Sequence, residues 1–198
     1  MKLKDENRVN EYTSRALREV LAIKTLSGVA NNLLLDDMLY THSLRVAKLA
    51  TQLAITLKLP DKIIQKVCLA GMLHDIGKLL IDPCILYKPG KLTADEFEVI
   101  KKHPVDGYKM LKSAGVDDDI CNMVLRHHEK RSGNGYPNGI SEKSISEEII
   151  TVADIFSALS EERSYHQALG YWQALDFINS FEDLDKKVLK ALRQSFDD

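Results

Sequence analysis

Residues 36–60 read DDMLYTHSLRVAKLATQLAITLKLP, and this stretch decides the fold class. Its small and apolar residues recur at the spacing of one face of an α-helix. They are Leu44, Ala47, Ala50, Leu53, Ala54 and Leu57. Two aspartates begin the stretch, where negative charge suits a helix N-terminus, and Pro60 ends it. The stretch predicts a long amphipathic helix with one face in a protein core.

The rest of the chain has the same helical spacing. Thr93-x-x-Glu96 and Ser144-x-x-Glu147 are capping boxes, each of which predicts the start of a helix. Further helices are expected from Val9 to about Val29, Asp61 to about His74, Thr93 to about His103, Val116 to about His128, Ser144 to about Glu162, Tyr171 to Phe181 and Leu184 to Phe196. Pro104 is expected to end the helix before it. Arg131–Gly139 holds three glycines and one proline and predicts a loop. No alternating β-branched run is long enough for a strand, so we expect an all-α fold.

Length and composition limit the classes of function. A chain of 198 residues with 44% hydrophobic residues can build a core without disulfides. A net charge of −2 argues against binding of a DNA or RNA polymer. No apolar run reaches the ~18 residues of a membrane span, and no leader is recognisable. Cys68, Cys84 and Cys121 form no Cys-x-x-Cys pair, so we expect reduced thiols in a cytoplasmic protein, with Cys68 in the core.

Two segments are expected. Residues 1–35 are predicted to form an N-terminal helical extension, and residues 36–198 the main domain. The first helix has two interpretations, which the sequence leaves open. It packs on the domain, or it is a dimerising or signalling helix.

Histidines and two aspartates carry the chemistry. His74-Asp75 offers a nitrogen and a carboxylate that suit a borderline divalent metal, although a polar helix end before a glycine cap would have the same sequence. His127-His128 comes directly before the glycine-rich loop, where a helix end frees both rings to converge. Asp154 lies within an apolar helical run, and a buried carboxylate needs a metal or cation beside it.

These residues resemble a known family when they are taken in order. His42, His74-Asp75 and Asp154 resemble the metal-binding pattern of the HD phosphohydrolase superfamily. His127-His128-Glu129 with the loop GNGYPNG at 133–139 resembles the signature of its HD-GYP subfamily. Residues 73–78, 88–93, 103–104 and 154–165 match as well, and the similarity extends from about Leu39 to Ala168.

The resemblance implies a compact helical bundle of the HD-domain type that holds two divalent metals, iron or manganese, with nickel or zinc open to the same ligands. One metal would take His42, His74, Asp75 and Asp154. The other would take His103, His127 and His128, with Asp75 bridging. The implied reaction is hydrolysis of a cyclic dinucleotide by attack of a metal-activated hydroxide on phosphorus. The first candidate substrate is cyclic di-GMP, which would give pGpG or GMP.

The resemblance also implies roles around the metals. Lys78 would act beside Asp75 as a point charge on the phosphate, and Gly135 would let the loop approach the ligand. Tyr136 and Arg163 would contact the substrate. The plain alternatives are a solvated lysine, a tyrosine that pins the loop and an arginine at a helix C-terminus.

The chain departs from the family pattern at three places. Ser132 and Ser157 stand where aspartates are usual, and His166 stands where a lysine or arginine is usual. Because Ser157 and His166 stand where members of the resembled family contact the nucleotide, we expect an altered affinity or base preference. Met38 is unsuited to the extra acidic ligand of three-metal members and Asp37 is one residue further from His42, so two metals are expected.

Alternatives to this function remain at this stage. One alternative is that the substrate is 3′,3′-cyclic GMP-AMP or linear pGpG instead of cyclic di-GMP. Another is that the domain acts on a mononucleotide. A non-enzymatic alternative is a metal-bearing receptor that binds the dinucleotide and signals through a regulatory protein partner. A homodimer is a further expectation that the sequence leaves open.

Overall fold

A computed structural model describes residues 2–23, 33, 36–160 and 169–196 of the chain. These residues form the helices α1 (Glu6–Ala22), α2 (Asp37–Thr56), α3 (Asp61–Leu73), a 3-10 helix (Ile76–Leu80), α4 (Pro83–Leu86), α5 (Ala94–Ile100), α6 (His103–Ser113), α7 (Asp118–Arg126), α8 (Ile145–Leu159), α9 (Tyr171–Asn179) and α10 (Lys186–Gln194). Within these ranges the only β-type pairing is an isolated bridge between Leu3 and Phe196. The prediction of an all-α fold is confirmed.

Helices α2 and α3 form the centre of the bundle. Helix α2 packs against α1, α3, α8 and α10, and α3 packs against α1, α7 and α8 as well. The two central helices approach closely at Gly71, where an added Cβ would lie 2.8 Å from the Cα of Ala47. Leu53, Ile64 and Met72 of these two helices are almost completely buried in the core.

Side-chain caps set several helix boundaries as the sequence predicts. The Asp36 carboxylate accepts a hydrogen bond from the backbone N–H of Leu39 at the start of α2. Both capping boxes are formed, at Thr93 and at Ser144. Arg131–Gly139 contains no helix or strand. The local signals therefore fix where α2, α5 and α8 begin.

The helix before Pro104 ends as expected, but Pro104 is also part of a new helix. Helix α5 ends at Ile100, and Pro104 lies in the first turn of a further helix, α6, which the sequence analysis missed. A proline in the first turn gives up no intrahelical hydrogen bond, because the N–H groups there have no partner within the helix. The same proline is therefore compatible with the start of a helix and incompatible only with its interior.

Helix α1 packs on the domain, as the first of its two interpretations expects. Val9, Ala16 and Val20 are buried against the core. Arg8 and Tyr12 both donate hydrogen bonds to the Asp61 carboxylate at the start of α3. The division of the chain at residue 35 remains a prediction.

Cys68 is buried in the core, as expected. None of the described helices combines the length and the apolar character that a membrane span requires.

The close approach of α2 and α3 predicts the effect of a methyl group at Gly71. Gly71→Ala should lower the free energy of unfolding by about 1–3 kcal/mol, because the new Cβ meets backbone atoms of Ala47. The measurement is urea denaturation followed by circular dichroism. The matched control is Gly170→Ala, where an added Cβ meets only the Gln173 side chain, at 3.3 Å. An unchanged or higher stability of Gly71→Ala would contradict this account of the packing.

Candidate metal centre

Seven predicted side chains converge from five parts of the fold. His42 comes from α2, His74 and Asp75 directly follow α3, and Asp154 comes from α8. His103 begins α6, and His127 and His128 directly follow α7. The ligand-type atoms of His42, His74 and Asp75 lie within 4.8 Å of one another, and so do those of His103, His127 and His128. The structure therefore brings the predicted residues together as two adjoining groups.

Three of the histidines are oriented by the same hydrogen bond. Each ring lies at a helix end or just after one, and its Nδ1 bonds the carbonyl oxygen three residues earlier. The pairs are His74 with Gly71 at 2.9 Å, His103 with Ile100 at 2.8 Å, and His127 with Val124 at 2.6 Å. Because a carbonyl oxygen only accepts, each Nδ1 carries a proton, so Nε2 is the nitrogen that offers a lone pair when the ring is neutral. This is the orientation that metal-binding histidines adopt in proteins.

Asp75 lies between the two groups. Its Oδ2 is 3.3 Å from Nε2 of His74 and 3.8 Å from Nε2 of His42. Its Oδ1 faces the other way, 3.3 Å from Nε2 of His103. The side chain is 1% exposed and accepts a hydrogen bond of 2.6 Å from Nζ of Lys78. Asp75 thus turns one oxygen to each group, which is the arrangement of a bridging carboxylate.

Asp154 faces the first group from α8. Its Oδ1 lies 3.1 Å from Nε2 of His42 and 3.8 Å from Nε2 of His74. Burial alone would raise the pKa of the Asp154 carboxyl, but the contact with His42 and the nearby His74 hold that pKa well below its usual range. Burial likewise opposes ionisation of Asp75, and His74 and Lys78 lower the pKa of Asp75 in the same way. Both carboxylates are therefore ionised inside the fold.

The donor atoms fit divalent metal ions. Among the described residues, Nε2 of His74 and Oδ1 of Asp75 are buried without a hydrogen-bond partner. Nε2 of His103 and Nε2 of His127 lie only 3.2 Å apart. Burial lowers the pKa of His103 to about 4, so its ring is neutral at pH 7 and its lone pair faces a second lone pair. Lone pairs and carboxylates that converge in this way are stabilised by cations, and nitrogen and oxygen donors suit borderline divalent ions.

A glycine that the sequence analysis treated only as a helix cap brings the two groups together. A Cβ on Gly77 would overlap with the carbonyl oxygen of His103 and would lie 2.6 Å from the backbone nitrogen of Gly107. The 3-10 helix can therefore contact α6 only with glycine at this position, and this contact places Asp75 beside His103. The need for glycine arises from a residue 26 positions away in the sequence, so local pattern gives no signal for it.

The glycine-rich loop contacts the second group. Gly135 packs on the backbone before the loop, where a Cβ would lie 2.5 Å from the Cα of Glu129. The ring of Tyr136 stacks on the ring of His128, with centroids 4.6 Å apart and planes at 29°. Burial raises the pKa of the Tyr136 phenol, so the hydroxyl remains a donor. Lys101, which the sequence analysis did not select, has its Nζ 5.7 Å from the centroid of the Tyr136 ring.

The remaining predicted residues are distributed as follows. Ser157 is buried on α8, one turn after Asp154. The backbone N–H of Ser132 donates to the Asp183 carboxylate. Arg163 and His166 lie outside the described residues.

A family model and several known proteins match this chain. The model of the family described as HD domain matches residues 24–188. A cyclic di-GMP phosphodiesterase (PA4108) of Pseudomonas aeruginosa is 34% identical over 190 residues, which cover 92% of this chain and 44% of that protein. The 3′3′-cGAMP-specific phosphodiesterase 1 of Vibrio cholerae is 34% identical over 158 residues, which cover 77% of this chain and 37% of that protein. The chain thus spans less than half the length of either relative.

Solved structures have the same fold at low sequence identity. An HDG"Y"P protein (Bd1817) of Bdellovibrio bacteriovorus superposes with a TM-score of 0.65 at 15% identity, over 94% of this chain and 68% of that one. The HD domain of the L. monocytogenes phosphodiesterase PgpH, in complex with cyclic-di-AMP, superposes with a TM-score of 0.60 at 19% identity, over 91% of this chain and 92% of that one. At these identities the likeness establishes the fold.

Burial of the histidines predicts how the stability of the metal-free protein depends on pH. Histidines in the unfolded chain bind protons below a pKa of about 6.5, whereas folded His103 binds one only near 4 and His128 only near 3. The unfolded state therefore holds more protons in this window, and stability is lost as the pH falls from about 6.5 towards 4. We expect the urea midpoint, measured with a chelator present, to fall steadily between about pH 7 and 4.5.

The control for this prediction is His103→Gln. It removes one of the groups whose pKa is lowered and should flatten the dependence of the urea midpoint on pH. A midpoint that stays constant over the whole range in the parent protein would contradict the prediction.

Proposed function

Because the chain belongs to the HD domain family, within its HD-GYP subfamily, we propose that it is a metal-dependent phosphodiesterase that hydrolyses a cyclic dinucleotide, first of all cyclic di-GMP. The observation that carries this proposal is the position of Asp75, a buried carboxylate with one oxygen turned to each of two groups of ligand-type side chains. Such a pair of sites is what hydrolysis of a phosphodiester by two metals requires.

Two divalent ions are the proposed cofactors, with iron or manganese as the first candidates. His42, His74, Asp75 and Asp154 would hold one ion. His103, His127 and His128 would hold the other, and Asp75 would contact both. When bound, two such ions supply Lewis acidity and lower the pKa of a water molecule. Donor sets without thiolate suit these metals, and the described groups consist of nitrogen and oxygen atoms alone.

Side chains around the metals would bind and orient the substrate. Lys78 holds Asp75 through a 2.6 Å hydrogen bond and brings a positive charge to the edge of the site, where it can attract a phosphate. The Tyr136 hydroxyl remains protonated and can donate to a phosphate or a base. Gly135 keeps the loop close to the His128 backbone. Arg163 is proposed from the sequence resemblance alone as a bidentate phosphate ligand.

A second substrate, 3′,3′-cyclic GMP-AMP, is favoured by specific observations. Two relatives named for that activity in Vibrio cholerae are 34% and 37% identical to this chain, as similar as the relatives named for cyclic di-GMP. Ser157 and His166 also depart from the subfamily pattern at positions that contact the nucleotide. Because these changes spare all seven proposed metal ligands, they would alter base preference without removing the metals.

Turnover is the direct test of the proposed function. The purified protein, loaded with iron or manganese under reducing conditions, should hydrolyse cyclic di-GMP, 3′,3′-cyclic GMP-AMP or both, with products followed by chromatography. Linear pGpG is included to separate the first cleavage from the second. Metal at about two ions per chain with tight dinucleotide binding and no product would instead indicate a receptor. Absence of both binding and hydrolysis would refute the proposal.

A single-atom change at Asp75 tests the ligand set. Asp75→Asn should lower bound metal below two ions per chain and reduce turnover by at least ~100-fold, because an amide is a neutral and weaker ligand for two cations. Metal is measured by elemental analysis on the same sample. Asp95→Asn, at an exposed residue in the first turn of α5, is the matched control and should retain both properties. Full activity of Asp75→Asn would refute the two-metal assignment.

A further inference from the structure

The glycine-rich loop is fixed to the metal-binding doublet by Glu129, the residue directly after that doublet. Glu129 is 1% exposed. One oxygen of its carboxylate accepts a hydrogen bond of 2.7 Å from the backbone N–H of Asn138. The other oxygen accepts one of 3.0 Å from the backbone N–H of Ile140. Asn138 lies near the end of the loop Arg131–Gly139, and Ile140 directly follows the loop. A single side chain thus closes the loop by joining its beginning to its end.

A second set of contacts ties the same residue to the histidines through the backbone. Nζ of Lys143 donates to the carbonyl oxygen of Glu129 at 3.0 Å and also bonds the Thr151 hydroxyl on α8. That hydroxyl lies 2.7 Å from the carbonyl oxygen of His127 and donates to it. The backbone on both sides of His128 is therefore held against α8.

The loop closed by Glu129 carries the tyrosine at the metal centre. The backbone N–H of Tyr136 donates to the carbonyl oxygen of His128 at 3.2 Å, and the Tyr136 ring stacks on the His128 ring. Asn138, whose N–H is bonded by Glu129, is only two residues further along the chain. Release of Asn138 and Ile140 would free the segment that holds Tyr136 in place, whereas the histidines would still be oriented by their own helix ends.

We propose that Glu129 is a positioning residue that fixes Tyr136 beside the metal centre, and that it acts on substrate binding while leaving the metal ligands in place. This inference rests on the proposed function for its effect on substrate. The contact itself, a buried carboxylate that accepts two loop amides, is independent of it. Glu129 can affect substrate binding without moving the metal ligands, because the two are held by different contacts. Tyr136 is held through the loop. Carbonyl groups within or at the ends of the preceding helices hold His74, His103 and His127.

The test compares Glu129→Gln with the parent protein. The amide side chain keeps the shape but points an NH₂ group at one of the two backbone N–H groups, so one hydrogen bond is lost. We expect exchange of the Asn138 and Ile140 amides, followed by NMR, to become about tenfold faster. We expect KM for the hydrolysed dinucleotide to rise about tenfold with kcat changed less than about threefold, and bound metal to stay at the parent level.

Glu142→Gln is the matched control, because it makes the same chemical change at an exposed residue of the following segment. It should leave exchange, KM and metal content unchanged. Parent-like amide exchange in Glu129→Gln would overturn the proposal. So would faster exchange with an unchanged KM, since the role would then be structural only.

The parent protein gives a test that needs no variant. Its Asn138 and Ile140 amides should exchange at least about tenfold more slowly than amides in exposed turns, and rapid exchange there would overturn the proposal even if Glu129→Gln fails to fold. If the parent hydrolyses no dinucleotide, the proposed function fails. Amide exchange then still decides whether Glu129 fixes the loop.

Discussion

The buried carboxylate of Asp75 is the constraint on which the rest of the structure depends. An ionised group that is 1% exposed is costly unless cations or hydrogen-bond donors surround it. Lys78 supplies one such donor from the 3-10 helix that follows. The other neighbours are histidine nitrogens from separate parts of the fold, at 3.3 Å on either side. The helices must therefore converge on one residue, and the divalent ions proposed at this site would complete the charge balance.

Convergence is achieved by helix ends and by glycines. A helix C-terminus leaves carbonyl groups without partners, and a histidine at that point satisfies one of them while directing its Nε2 away from the helix. The same device occurs at His74, His103 and His127. Gly71 and Gly77 then remove the side chains that would keep the helices apart. The same contacts therefore pack the helices and bring the side chains of the candidate metal centre together.

Much of this could be predicted from the sequence, because much of it is local. The capping boxes at Thr93 and Ser144 need only residues three positions apart, and the seven proposed ligands follow from the resemblance of ordered motifs to the family pattern. Helix α6 was missed because Pro104 permits both the end and the start of a helix. The roles of Gly77 and Glu129, and the position of Lys101 beside Tyr136, were missed for a different reason. Each depends on a contact with another segment, which the residue and its immediate neighbours in sequence do not reveal.

The placement of these residues also separates the proposed metal ligands from the residues proposed to bind the substrate. The proposed metal ligands lie within helices or at their ends and are oriented by the bundle core, whereas Gly135, Tyr136 and Glu129 belong to the loop region between α7 and α8. Substitutions in that loop would alter how the proposed nucleotide substrate is held while the donor atoms keep their positions. Ser157 is the exception, because it is buried on the same helix as Asp154. A change there would alter the proposed nucleotide site from within the core, so it could adjust the proposed substrate preference only as far as the packing of α8 allows.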